Sequence, residues 1–252
     1  MGKASKNVWL AGVDGCKGGW VVAYGRLDGE TQKPRFVKTL SEIIYGEERP
    51  AIIAIDVPIG LPKCSPVGGR GPEPELRKIL QRKASSVFRV PSRAAIYAGL
   101  DAELEVVRSQ YSAACKKARE TSKDETAFAL QSFYIFDKIA SVDMFLRGHP
   151  ECVSSVYETH PELAFFYMNG FAPVLPSKKS TDGREARRRL LNAYGISDEA
   201  VLAPPPIGAK PDDAIDSLAC LVTARRIGMS FAKSHPEEDC KDECGLPIGV
   251  WA

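Results

Sequence analysis

The chain has 252 residues, 44% hydrophobic and 26% charged, enough to bury a full core in one large domain or two small ones and too apolar for a disordered tail. Its formal net charge of +2 is too small to announce a polyanionic partner. The apolar stretches are of strand length and broken by charge or proline, so neither a membrane span nor a secretory signal is expected, and a soluble, cytoplasmic protein is.

The first elements are apolar runs at residues 8–13 and 18–24, separated by Asp14, Gly15, Cys16 and Lys17, which reads as a β-hairpin. Residues 35–40 supply a third strand and 40–45 a short helix. Residues 51–55 form an uninterrupted apolar run, expected as a strand buried on both faces. Residues 64–74 are rich in Pro and Gly and read as a loop. Helical spacing then dominates from 75 to 146, with Phe133, Phe136, Ile139, Ala140, Val142 and Phe145 on one face. This predicts a largely helical insertion at about 64–148 within a single domain spanning 1–252, since no flexible linker divides the chain.

Beyond the insertion, residues 152–157 read as a strand and 184–193 as a helix. A proline-rich connection at 203–211 leads into a final helix running to about residue 227. The charged tail at 233–244 reads as a loop. Seven scattered cysteines, an odd number, suggest reduced thiols. Cys240 and Cys244 beside His235 invite a zinc site, but a closed site needs four ligands and no second pair lies nearby.

Several carboxylates stand at the ends of these elements. Asp14 closes the first strand, Asp56 the central one and Glu158 the strand after the insertion. Asp213 and Asp216 are three apart near the start of the last helix and share a face. Parallel strands carry their C-terminal residues to one edge, where open α/β sheets place their ligands, so Asp14, Asp56 and Glu158 are expected to converge. Like charges at ~4 Å repel by ~4 kcal/mol at an effective dielectric near 20, and a hard divalent cation, Mg²⁺ or Mn²⁺, resolves that conflict. Two such ions can activate a water and stabilise a leaving oxygen.

Each acid also has a plainer reading. Asp14 can be a hairpin residue and Asp56 a turn acceptor before Val57 and Pro58. Asp212 reads as a helix N-cap, and Asp213 and Asp216 can be first-turn acids favoured by the helix dipole. His160 is a candidate general base or a packed histidine. Lys17, Arg89, Arg93, Lys178, Arg184 and Arg187 are candidates for contacts to substrate phosphates, although each basic cluster can equally be a solvated helix face.

Seven segments in order, GVDGCKGGWVV (12–22), IDVPIGLP (55–62), VFRVPSR (87–93), QSFYIFDKIASVD (131–143), YETHPEL (157–163), KKSTDGREARRRLL (178–191) and DDAIDSLACLVTA (212–224), resemble the domain-of-unknown-function family numbered 429, usually described as predicted nucleases of the RNase H-like fold. The resemblance spans nearly the whole chain. It implies an α/β fold with a five-stranded mixed sheet, the first three strands antiparallel, flanked by helices. It also implies acids at Asp14, Asp56, Glu158 and Asp213 or Asp216, and a metal-dependent nuclease acting on nucleic acid. A small-molecule phosphotransferase on the same sheet and a non-catalytic nucleic-acid or protein interaction module are the rival expectations.

Overall fold

The computed structural model describes residues 8–100 and 106–252. The predicted helical stretch at 75–146 therefore lies partly outside the described residues. The chain builds a mixed α/β fold on one seven-stranded sheet, in the order β3-β2-β1-β4-β5-β7-β6.

Strands β1 (Trp9–Cys16) and β2 (Gly19–Arg26) form an antiparallel hairpin, and β3 (Arg35–Val37) adds antiparallel to β2. The hairpin strands are longer than predicted. Asp14, Gly15 and Cys16 pair with Val21, Trp20 and Gly19 rather than turning, and the turn contracts to Lys17 and Gly18. Gly18 adopts φ of +79°, which a tight hairpin loop requires and glycine supplies without strain. Gly19 answers a different need: a Cβ there would lie 2.6 Å from the Val37 carbonyl oxygen, so glycine lets β3 close on the hairpin.

Helix α1 (Leu40–Tyr45) is capped by Thr39, whose hydroxyl accepts from the Glu42 amide. It leads to β4 (Ile52–Ile55), parallel to β1. The insertion then runs through α2 (Pro72–Leu80), a 3₁₀ turn at Gln81–Ser86, α3 (Arg93–Ala98), α4 (Val107–Glu120), α5 (Leu130–Phe133) and α6 (Phe136–Gly148). Phe133, Phe136, Ile139, Ala140 and Val142 are buried in the core under the sheet as their spacing predicts, and Phe145 is partly buried against them.

The strand expected at 152–157 is displaced. Pro150–Ser155 forms a 3₁₀ turn opened by its proline, and β5 (Val156–Thr159) follows, parallel to β4. Then come α7 (Pro161–Met168), α8 (Thr181–Ala193), α9 (Asp198–Val201) and α10 (Pro211–Gly228). The tail is not all loop. Strands β6 (Ser234–His235) and β7 (Val250–Trp251) extend the sheet beyond β5, so the sheet has seven strands where five are expected. Two-residue strands are too short to leave a periodic signal.

The sheet separates two apolar layers. On one side Ala11, Val13, Ile53, Ile55 and Val156 pack under the insertion. On the other, Leu10, Ala23 and Ala54 pack under α10, α7 and α8. Helix α10 is buried along Ala214–Arg225, apolar almost all round as an embedded helix must be. Small residues bring it close. A Cβ on Gly12 would fall 2.0 Å from the Leu221 nitrogen and 2.2 Å from the Ser217 carbonyl oxygen, so glycine in the first strand sets how near α10 approaches β1. Among the described residues no helix is long and apolar enough to cross a membrane.

Candidate functional site

Strands β1 and β4 run parallel in a register that pairs Val13 with Ile55. The next residue on each is an aspartate, and the Asp56 amide donates to the Val13 carbonyl at 2.9 Å. Side chains alternate along a strand. Leu10 and Gly12 face α10, and so does Asp14; Ala54 faces α10, and so does Asp56. Asp216, one turn into α10 and buried, completes the group from the helix side.

The three carboxylates feel one another. Burial, with Asp56, Asp216 and Asp213 nearby, pushes Asp14 well above the usual carboxylate range. Burial also raises Asp56, with Glu162 adding to it and His160 and Lys178 opposing it. Asp216 is raised to about 6, by burial first, then by Asp56 and Glu162, against the pull of Lys178. The Lys178 ammonium lies 2.6 Å from Asp216 Oδ2. Although burial works against its charge, Asp216, Asp14 and Asp56 hold it protonated.

Glu158 does not join them. It shares a face of β5 with Val156, under the insertion, while Thr159 turns to the other side and bonds the Thr223 hydroxyl of α10 at 3.3 Å. The Glu158 carboxylate accepts from Arg70 at 2.7 and 3.1 Å and from the Ile59 amide at 2.7 Å. Arg70, 1% exposed, is shared with Glu73. The predicted convergence of Glu158 with Asp14 and Asp56 is thus corrected: a one-residue difference in position along a strand reverses the face.

The acid that takes its place is Glu162, in the first turn of α7. It influences both Asp56 and Asp216. Its Oε1 accepts from the fully buried Arg187 at 2.7 Å, and its Oε2 is buried with no hydrogen-bond partner. The sequence signal was present in YETHPEL, four residues after Glu158, but a helix-start acid after a proline looks like an ordinary first-turn acid. Asp213 reaches back to accept from the Lys210 amide at 2.8 Å. The capping acid is therefore Asp213 rather than Asp212, whose carboxylate lies 3.9 Å from Lys178. His160 sits beside Asp56; its Nε2 meets the Ser86 carbonyl at 3.3 Å, and its Nδ1 is buried without a partner.

Most of the basic candidates serve the fold. Arg89 bonds Asp124, Thr126 and the Ser65 and Pro66 carbonyls. Arg93 joins Asp143, Asp242 and Glu243, tying α3 to α6 and to the C-terminal loop. Arg184 donates to the Lys179 carbonyl, and Arg187 to Glu162 and the Pro176 and Gly183 carbonyls. None of these four lines the cleft above the acids. That cleft, of about 560 Å³, is bordered by Asp14, Asp56, Asp213, His160, Lys17, Lys138 and Lys210 among others. Lys17 is the candidate phosphate contact that the structure does place there.

The donor set can be tested against the cation the resemblance implies. Among the described residues no three His, Cys, Asp or Glu side chains stand around a common point ready to hold a metal ion; this includes Cys240, Cys244 and His235. The chemistry of the acids nevertheless fits a hard cation. Four carboxylates, Asp14, Asp56, Asp216 and Glu162, face two fixed cations, Lys178 and Arg187, and one carboxylate oxygen is left unsatisfied. Uncompensated buried charge is costly, and oxygen donors favour Mg²⁺, Mn²⁺ or Ca²⁺.

An α/β sheet carrying a carboxylate cluster at the C-terminal edge of its parallel strands defines the general class. Within it, the profile of the family described as a protein of unknown function (DUF429) matches residues 12–240, and the chain belongs to that family. No curated protein and no solved structure matches the chain.

Proposed function

We propose that this chain is a divalent-metal-dependent hydrolase of phosphodiesters, with nucleic acid as its substrate class. The single observation that carries the reading is that Asp14, Asp56 and Asp216, from two strands and a helix far apart in sequence, are buried near enough for Asp56 and Asp216 to raise Asp14, with Asp14 and Asp56 lining an open cleft. The strand order β3-β2-β1-β4-β5, with its first three strands antiparallel, supports an RNase H-like assignment, extended here by β7 and β6.

In this reading Asp14, Asp56 and Asp216 hold the cation, and Glu162 offers its unpartnered Oε2. When bound, Mg²⁺ or Mn²⁺ supplies an acidified water and stabilises charge on a leaving oxygen. The chain's own residues do the rest. Lys178 offsets part of the carboxylate charge, and Arg187 fixes Glu162. With Nε2–H donated to Ser86, His160 keeps the Nδ1 lone pair free to accept a proton. Lys17 at the cleft mouth meets phosphate.

Calorimetric titration with Mn²⁺, run beside cleavage of labelled single- and double-stranded oligonucleotides, tests this. Saturable binding lost in Asp14→Asn and Asp56→Asn, with cleavage lost in parallel, is expected. Wild-type protein that takes up no Mn²⁺ sinks the proposal.

A further inference from the structure

The cleft above the acids also carries an aromatic ring and free cations. Tyr134 lies at the junction of α5 and α6, where Phe133 and Phe136 take the buried positions. Its ring is therefore left 63% exposed while lining the cleft. Phe88, half-buried, lines it as well. Lys138 is committed to the Trp20 ring, 5.2 Å away, and to Asp137. Lys17 and Lys210 are exposed, and no ion pair among the described residues engages either of them.

This distribution constrains what can enter. Carboxylates on the floor repel phosphates, so backbone recognition must come from the rim, where Lys17 and Lys210 stand. A flat, exposed ring beside such cations is what an unpaired base stacks on. A base inside a duplex has both faces covered by its neighbours and cannot reach Tyr134 while its phosphate reaches the acids. A cleft of about 560 Å³ falls in the range that encloses a small ligand and is far too small to enclose a double helix.

We infer that the cleft takes single-stranded nucleic acid, with a base stacked on Tyr134 and flanking phosphates on Lys17 and Lys210. This names the substrate of the phosphodiester-hydrolase reading and rests on that reading for its chemistry, though its binding can be measured separately.

The test is fluorescence anisotropy with the full chain, in EDTA and at low salt, so that neither metal binding nor cleavage contributes. Three labelled probes of about 12 nucleotides, within the usual span of single-strand sites, are compared: oligothymidylate, a matched duplex and an abasic strand. Oligothymidylate is expected to bind tighter than the duplex. Tyr134→Ala weakens it by about fivefold or more and leaves the abasic strand unchanged, while Tyr134→Phe binds as wild type. Lys17→Ala and Lys210→Ala weaken the oligothymidylate and abasic strands alike and flatten the salt dependence. Absence of binding, a duplex bound as tightly as the single strand, or a Tyr134→Ala variant that behaves as wild type overturns the inference. Stacking of this kind without any Mn²⁺-dependent cleavage would overturn the hydrolase reading and leave the stacking site standing.

Discussion

The Lys178 ammonium rests 2.6 Å from Asp216 Oδ2, on a side chain that is 40% exposed, whereas the Asp216 side chain is 4% exposed. Lys178 stands in the loop before α8, two residues ahead of Ser180, which caps that helix through the Gly183 amide, and it reaches both Asp212 and Asp216 of α10. Lys178 is thereby the fixed counter-charge of the acid cluster.

Replacing that ammonium exposes what it offsets. Lys178→Met leaves Asp216, Asp14 and Asp56 facing one another with a single nearby arginine on Glu162. The loss expected in EDTA is on the order of 1–3 kcal/mol, below the value for a fully buried pair because Lys178 is partly solvated. Thermal unfolding followed with and without Mn²⁺ checks this. The midpoint should fall in EDTA and recover with Mn²⁺ more in the variant than in wild type, since the cation then supplies the missing charge.

The same cluster gives stability a pH dependence. Asp216 titrates near 6 in the folded chain against an ordinary value of 3.8. Between those values the folded state keeps a proton that the unfolded chain has released. The contribution is therefore full below pH 3.8, is lost as pH rises through 6, and is constant above. Its size is on the order of 2–3 kcal/mol. Urea unfolding in EDTA at stepped pH should give a slope over this window that Asp216→Asn reduces. Mn²⁺ affinity should run the other way, tightening as pH rises through 6, because ligand carboxylates must be ionised.

What the sequence disclosed follows from how each feature is encoded. The buried run ending at Asp56 and the pair Asp213 and Asp216, three apart at the start of the last helix, are local patterns, and the structure puts these residues on the elements expected, with Asp213 serving as the cap. The insertion's inward face is legible for the same reason, as a 3.6-residue repeat. Glu158 is misplaced because the sheet face depends on where β5 begins, and the 3₁₀ turn at Pro150–Ser155 shifts that start. Strands β6 and β7 were invisible because two residues carry no period. The role of the basic residues is not encoded locally: whether Arg89, Arg93 or Arg187 meets a ligand or an internal acid is decided by distant partners, Asp124, Asp143 and Glu162.

Glu158 and Glu162 separate a structural from a functional carboxylate. Glu158→Gln removes one of the two carboxylates on Arg70, which is 1% exposed and keeps Glu73, so the cost stays below the about 3–5 kcal/mol of a fully broken buried pair. Mn²⁺ affinity should be unchanged. Glu162→Gln keeps a hydrogen-bond acceptor but removes the carboxylate paired with the fully buried Arg187 and alters the unpartnered oxygen, so it should cost at least as much stability as Glu158→Gln while Mn²⁺ affinity falls by about tenfold or more. Urea unfolding and calorimetric titration on both variants distinguish them. Equal Mn²⁺ affinity in Glu162→Gln and wild type would remove Glu162 from the site.

Gly12 shows how the fold itself delivers the acids. Its missing side chain lets the α10 backbone approach β1, and with it Asp216 approaches Asp14. A methyl group in Gly12→Ala would meet Leu221 and Ser217 backbone atoms at 2.0 and 2.2 Å. These are main-chain atoms of a buried helix, not side-chain ends that can swing away, so either the helix moves or the strand does. The expected loss exceeds about 4 kcal/mol, in the range of severe core overpacking. Circular dichroism and thermal unfolding of the variant check it, and a midpoint within a few degrees of wild type would mean that α10 is free to shift. If it does shift and the chain still folds, Mn²⁺ affinity should drop without any change to a ligand, because Asp216 has been carried away from the strand acids.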